Sequence, residues 1–296
     1  MSIDKSNKEK RKKSFLTKFI KNRICCNSQT SLDNFDESIF RSDKIFKNIY
    51  LQTKDSTIIG AWLISPIEIN QNTKYAVLLH GNASNRRTFC ENFEIENFIE
   101  MNYCVIVPDY REFGDSKGVF TVEGVIYDLE RCIEYMYKTY NTDSVSIISY
   151  SLGTAVTLEF YKYFCTKYLE SKENENNFYS IELPKIVLIS PFSSTIKILQ
   201  ESRLWNFINK LFPKTENKIR EEFNFNSIDN IKCVDKRNVI IFHGSEDVIV
   251  PFSHGLELSL RNGCKIYRCN GDDHISIMLN PNVWNNINLF LREENN

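Results

Sequence analysis

The segment Val145-Ser146-Ile147-Ile148-Ser149-Tyr150-Ser151-Leu152-Gly153-Thr154-Ala155 runs an apolar strand straight into a serine and then into a Gly/Ala/Thr-rich helix start. This pattern sets Ser151 on a sharp strand-to-helix turn, with its hydroxyl clear of the sheet. The residues two before and two after it must be small to avoid the neighbouring strand and helix; here they are Ser149 and Gly153. The helix start aims backbone N–H groups at the same point, so the N–H of Leu152 can donate to an oxyanion. A serine hydroxyl is a poor nucleophile until a positioned imidazole takes its proton, and that imidazole needs a carboxylate to hold its tautomer. Behind an elbow of this kind the acid and then the histidine follow the serine in the chain.

Four histidines are available: His80, His243, His254 and His274. His274 is the last, just after the final predicted strand, in Asn270-Gly271-Asp272-Asp273-His274. Asp247 lies directly after another strand, in His243-Gly244-Ser245-Glu246-Asp247-Val248-Ile249-Val250-Pro251. Ser151, Asp247 and His274 are therefore the candidate nucleophile, acid and base. His80 precedes the serine, His243 ends a strand, and His254 reads as a solvated or capping residue at a helix start. Glu246, Asp272 and Asp273 read as solvated loop carboxylates. The loop Ser190-Pro191-Phe192-Ser193-Ser194, a second position for an acid, holds none. His80-Gly81-Asn82-Ala83-Ser84-Asn85 follows the strand Tyr75–Leu79, and the N–H of Asn82 (or Ala83) there can pair with that of Leu152 in an oxyanion hole. The histidines show no chelating spacing, and no glycine loop of a nucleotide site is present, so no metal or organic cofactor is expected.

These residues need strands to hold them. The pattern predicts strands at Ile45–Leu51, Thr57–Leu63, Tyr75–Leu79, Cys104–Val107, Val145–Ile148, Ile186–Ile189, Val239–Phe242 and Lys265–Cys269. Helices are predicted from Phe89 to Ile99 and over Val122–Tyr140, Leu152 to about Tyr168, Ser253–Leu260 and Pro281–Leu291. Strands alternating with helices imply an α/β fold, a mostly parallel sheet covered on both faces. Lys167–Leu183, with ESKENENNF, reads as an exposed polar loop. Ser193–Cys233, carrying Leu204, Trp205, Phe207, Ile208, Leu211 and Phe212, reads as a small helical cap insertion at about 193–233.

The net charge of −1 conceals an asymmetry. Residues 1–24 hold nine Lys/Arg against Asp4 and Glu9, a net of +7, while the remainder carries 28 basic and 36 acidic residues, a net of −8. A basic arm on an acidic body suits an anionic membrane surface and not nucleic acid. Residues 1–40 read as a tail and 41–296 as the folded domain. Within the tail, Phe15, Leu16, Phe19, Ile20 and Ile24 share one half of a helical wheel, and Cys25 and Cys26 follow as candidate lipidation sites. Nine cysteines without a paired rhythm, no secretory leader and no run of about 18 apolar residues point to a cytoplasmic protein, peripheral on the cytosolic face of a membrane.

From Ile45 onward, His80-Gly81-Asn82-Ala83, Asp109-Tyr110-Arg111-Glu112-Phe113-Gly114-Asp115-Ser116, Ser149-Tyr150-Ser151-Leu152-Gly153-Thr154 and His243-Gly244-Ser245-Glu246-Asp247 resemble the α/β-hydrolase-domain lipases. That group includes monoacylglycerol and lysophospholipid lipases and palmitoyl-protein thioesterases. Phe252-Ser253-His254-Gly255-Leu256 is most similar to the thioesterase branch, whose N-terminal cysteine cluster Cys25-Cys26 weakly matches. Two positions depart from the family pattern: Ser149 stands for the usual glycine, and Glu112 for the glycine common after Asp-Tyr-Arg. The resemblance implies an α/β-hydrolase fold and a serine hydrolase acting on an acyl ester or thioester of a lipid-like substrate or acylated protein. The rival readings are a peptidase of the same fold, with Glu201, Glu221 or Glu222 holding a substrate amine, and a catalytically silent lipid- or protein-binding scaffold.

Overall fold

The computed structural model describes residues 44–92, 99–142, 144–171, 184–201, 210 and 215–293. The described strands are β1 (Lys44–Gln52), β2 (Ile58–Pro66), β3 (Lys74–Leu79), β4 (Tyr103–Pro108), β5 (Ser146–Tyr150), β6 (Ile186–Ile189), β7 (Val239–Gly244) and β8 (Lys265–Cys269). They form one sheet in the order β1-β2-β4-β3-β5-β6-β7-β8. β1 and β2 are an antiparallel hairpin, and β2 runs antiparallel to β4. Every pairing from β4 through β8 is parallel. Each of the eight predicted strands is present, with no end shifted by more than three residues.

Period-two alternation sorts the strand residues onto two cores. Val77, Leu79, Ile147, Leu188 and Ile241 pack with Leu129, Phe160 and Leu258 on one face. Ala76, Leu78, Ile148, Ile189 and Phe242 pack with Phe89, Val283, Trp284 and Ile287 on the other. The helices follow: α1 (Arg86–Asn92) and α8 (Pro281–Arg292) cover the second face, and α2 (Val122–Tyr140), α3 (Leu152–Ser171) and α7 (Phe252–Asn262) the first. Because the strands are buried on both faces, they read as continuous apolar runs.

Between β6 and β7 lie the short helices α4 (Thr195–Gln200), α5 (Thr215–Glu222) and α6 (Ser227–Asn230). Leu204, Trp205, Phe207, Ile208, Leu211 and Phe212 lie outside the described residues, as do the arm and Cys25 and Cys26. Helix α3 runs on to Ser171, through the first five residues of the stretch read as an exposed loop, with Tyr161 and Phe164 on its core-facing stripe just before them.

The strand order reverses at β3, with β4 on one side and β5 on the other. The loops leaving the carboxyl ends of β3 and β5 therefore diverge and open a crevice, the usual ligand position in an open parallel sheet. Ser151 and the His80–Asn85 loop stand there.

Candidate active site

Ser151 follows β5 and precedes α3, in a left-handed conformation with φ 50°. That turn is over-determined by its surroundings. The Ser151 N–H donates to Ile189 O at 2.9 Å, and the N–H of Thr154 donates to Ser151 O at 3.0 Å. The Thr154 hydroxyl donates to the same oxygen at 2.6 Å. A methyl group at Gly153 would stand 2.8 Å from both Cβ and O of Leu79, so only glycine lets the helix pass this close to β3. Ser149, where glycine is usual, turns its hydroxyl to the neighbouring strand and donates to Val187 O at 3.0 Å.

His274 reaches the elbow from the loop after β8. Its Nε2 lies 3.1 Å from Ser151 Oγ, and its Nδ1 2.6 Å from Asp247 Oδ2. A carboxylate can only accept, so Nδ1 carries the proton and Nε2 faces the serine as acceptor. Asp247, buried after β7, accepts the N–H groups of Ile249 (3.0 Å) and Val250 (2.8 Å) on Oδ1. Burial pushes its carboxyl up, but the His274 hydrogen bond and charge and the Val250 N–H outweigh this and hold it below the ordinary aspartate value. The three residues singled out in the sequence thus meet in one hydrogen-bonded chain. Two of the three competing carboxylates are occupied elsewhere. Asp273 accepts the N–H groups of Ile275 (2.9 Å) and Ser276 (2.8 Å), and Asp272 accepts the Asn280 amide at 2.6 Å.

Leu152 opens α3, so its N–H is one that a helix leaves without an intrahelical acceptor. The loop bearing Asn82 presses on the nucleophile: a methyl group at Gly81 would lie 3.0 Å from the Tyr150 ring and 3.4 Å from Ser151 Cβ. Several bonds hold this loop. Tyr110 donates its hydroxyl to His80 O at 2.8 Å, and His80 Nδ1 lies 2.8 Å from Gly81 O. Buried Arg86 donates its N–H to Asp109 Oδ1 at 2.5 Å, and its guanidinium bonds Asp109 and, at 2.7 Å, Asp115. Glu112 occupies a left-handed position (φ 71°) that favours glycine, and its carboxylate accepts the Phe120 N–H at 2.8 Å.

No protein-family model matches the chain. Lysophosphatidylserine lipase ABHD12 of Xenopus tropicalis is 26% identical over 234 residues, covering 71% of this chain and 56% of that protein. Alpha/beta hydrolase domain-containing protein 17C of Xenopus tropicalis is 25% identical over 197 residues, covering 65% and 53%. The chain spans about half the length of these relatives. Among solved structures, the Pyrococcus furiosus esterase Pf2001 superimposes with a TM-score of 0.64 at 19% identity, over 90% of this chain and 98% of that one. The chain has the α/β-hydrolase fold.

Two interactions around this site were not legible in the sequence. The Tyr150 hydroxyl donates to His274 O at 2.8 Å, and its ring lies 5.1 Å from the imidazole. The only sequence signal was an aromatic beside the nucleophile. His254, read as solvated or capping, is fully buried instead. Its Nδ1 accepts the Ser193 N–H at 3.1 Å, and its Nε2 donates to Glu201 at 2.8 Å, which ties α7 to the start of the inter-strand insertion. Glu201, one carboxylate considered for a substrate amine, is thus engaged with His254. Among the described residues no cluster of His, Cys, Asp or Glu could hold a metal ion. No described helix is long and apolar enough to cross a membrane.

Proposed function

We propose that this α/β hydrolase cleaves acyl esters or thioesters of lipid-like substrates, such as lysophospholipids, monoacylglycerols or palmitoylated proteins, through an acyl-enzyme on Ser151. The continuous hydrogen-bonded chain from Asp247 through His274 to Ser151 Oγ carries this reading. Ser151 attacks the acyl carbonyl as His274 Nε2 takes its proton. Asp247 keeps the imidazole oriented and stabilises the imidazolium that forms. The N–H groups of Leu152 and Asn82 receive the negative charge developing on the carbonyl oxygen, donors that are each worth ~10²–10³-fold in rate. His274 then protonates the leaving alcohol or thiol, and activates the water that hydrolyses the acyl-enzyme. The lipase and esterase names of the relative and the structural neighbour support an acyl substrate.

Fluorophosphonate labelling of the purified protein beside Ser151→Ala tests this. Labelling that vanishes in the variant is expected, and justifies a screen of lysolipids, acylglycerols and acyl-cysteine peptides. A folded protein that takes no label, or a variant that still takes it, would overturn the reading.

A further inference from the structure

The segment Phe252-Ser253-His254-Gly255-Leu256 opens α7 beyond the acid turn, and the reaction outlined above uses none of it. What it packs against is His243, the penultimate residue of β7, which is fully buried. His243 Nε2 lies 2.8 Å from Val250 O, so this nitrogen carries the proton and donates. The same nitrogen stands 3.5 Å from Asp247 Oδ2, the oxygen that receives the His274 N–H. The four-residue turn 247–250 is thereby closed from both ends. Asp247 Oδ1 accepts two of its N–H groups, and its last carbonyl accepts His243.

The other side of the imidazole explains the glycine. His243 Nδ1 has no hydrogen-bond partner, and a methyl group at Gly255 would stand 2.4 Å from it. Phe252 meets the ring edge-on, with centroids 5.8 Å apart. His254, gripped by Ser193 and Glu201, fixes the helix on which both residues ride. Burial depresses the His243 pKa, which keeps the ring a neutral N–H donor.

We propose that His243 is a positioning residue: it holds the 247–250 turn, and through it the carboxylate of Asp247, in register with His274, and Gly255 is glycine to admit its ring. This rests on the acyl-transfer reading of the site. An imidazole that merely filled the core would be replaceable by leucine without effect on turnover.

The test uses the full chain with His243→Leu, His243→Gln and Gly255→Ala, each read in two ways. One is kcat and KM on a soluble short-chain p-nitrophenyl ester. The other is the downfield proton resonance of the His274 Nδ1–H bonded to Asp247, assigned by its loss in His274→Ala. His243→Leu should lower kcat by about 10- to 100-fold with KM close to native, the scale of a small misplacement of catalytic groups, and should broaden or remove the resonance. The glutamine amide can reach the same carbonyl, so His243→Gln should restore both. Gly255→Ala should lower kcat by displacing the ring, and it carries the test if His243→Leu does not fold. Native kcat and a native resonance in His243→Leu, or in Gly255→Ala, overturn the proposal while leaving the hydrolase reading intact. A resonance lost in His243→Leu and regained in His243→Gln, with Ser151 unlabelled in every form, would uphold the brace and reject the hydrolase reading.

Discussion

Ser151 holds a backbone conformation that L-residues avoid, at a cost of roughly 1–2 kcal/mol, and its neighbours determine whether that strain is tolerated. Its own N–H and carbonyl are both hydrogen-bonded, and Gly153 leaves room for β3. Gly153→Ala should force β3 and α3 apart and destabilise the protein by about 1–3 kcal/mol, as overpacked sites do; a fall in Tm would register it. Asp247→Asn tests the chemistry more directly. The amide no longer favours the imidazolium or its required tautomer, so kcat should fall by about 10³–10⁴-fold with little change in KM. An equal fall in substrate affinity would show that the residue shapes the pocket instead. Ser151, Asp247 and His274 were legible because each hangs on a strand end that periodicity locates. Tyr150 and His243 were not. Their partners are backbone carbonyls, Tyr150's lying 124 residues away in the chain, and neither residue type announces such a bond.

At the scale of elements, the loop after β4 couples the β1–β2 hairpin to the His80–Asn85 loop. Arg86 Nη2 donates to Asn48 of β1 at 3.1 Å, Tyr50 donates to Asp115 at 2.7 Å, and Arg86 also bonds Asp109 and Asp115. Burial raises the Asp115 pKa, but the hydrogen bonds from Arg86 and Tyr50 outweigh it and the net shift is downward. A depressed folded-state pKa means that the unfolded chain takes up the proton first as the pH falls. The stability Asp115 contributes is therefore present above the ordinary aspartate pKa of about 3.9, and is lost below it. Asp115→Asn should lower Tm at pH 7 but much less at pH 3, and parallel Tm–pH curves for variant and native protein would exclude this coupling. The strands around the network read clearly from sequence because an apolar run between turn residues has few other solutions. The network itself did not, because Asn48, Arg86 and Asp115 meet only through tertiary pairing of segments up to 67 residues apart. Glu112 marks a limit of motif reading: the position needs a left-handed backbone, and a carboxylate bonded to Phe120 N–H meets that need without glycine.

For the whole molecule, the charge asymmetry bears on where the protein works. The body carries a net of −8 and is repelled by an anionic bilayer, whereas residues 1–24 carry +7. Each basic residue near an anionic surface contributes ~1 kcal/mol, so the arm has enough charge to hold the body at such a surface against its own repulsion. We propose that the protein is peripheral on such a surface, recruited through residues that precede β1. Deleting residues 1–40 leaves every described strand intact, so Ser151 labelling should be unchanged while the protein moves from vesicles containing anionic lipid to the soluble fraction. Raised salt should release the full-length protein in the same way, since the Debye length shortens from ~10 Å at 0.1 M to ~3 Å at 1 M. Replacing Cys25 and Cys26 with serine separates the two anchoring modes in cells. If charge alone recruits, the double variant partitions like the native chain and salt still releases it; if acylation is required, the variant is soluble at any salt. Equal partitioning with and without residues 1–40 would sink both, and would assign membrane contact, if any, to the folded domain.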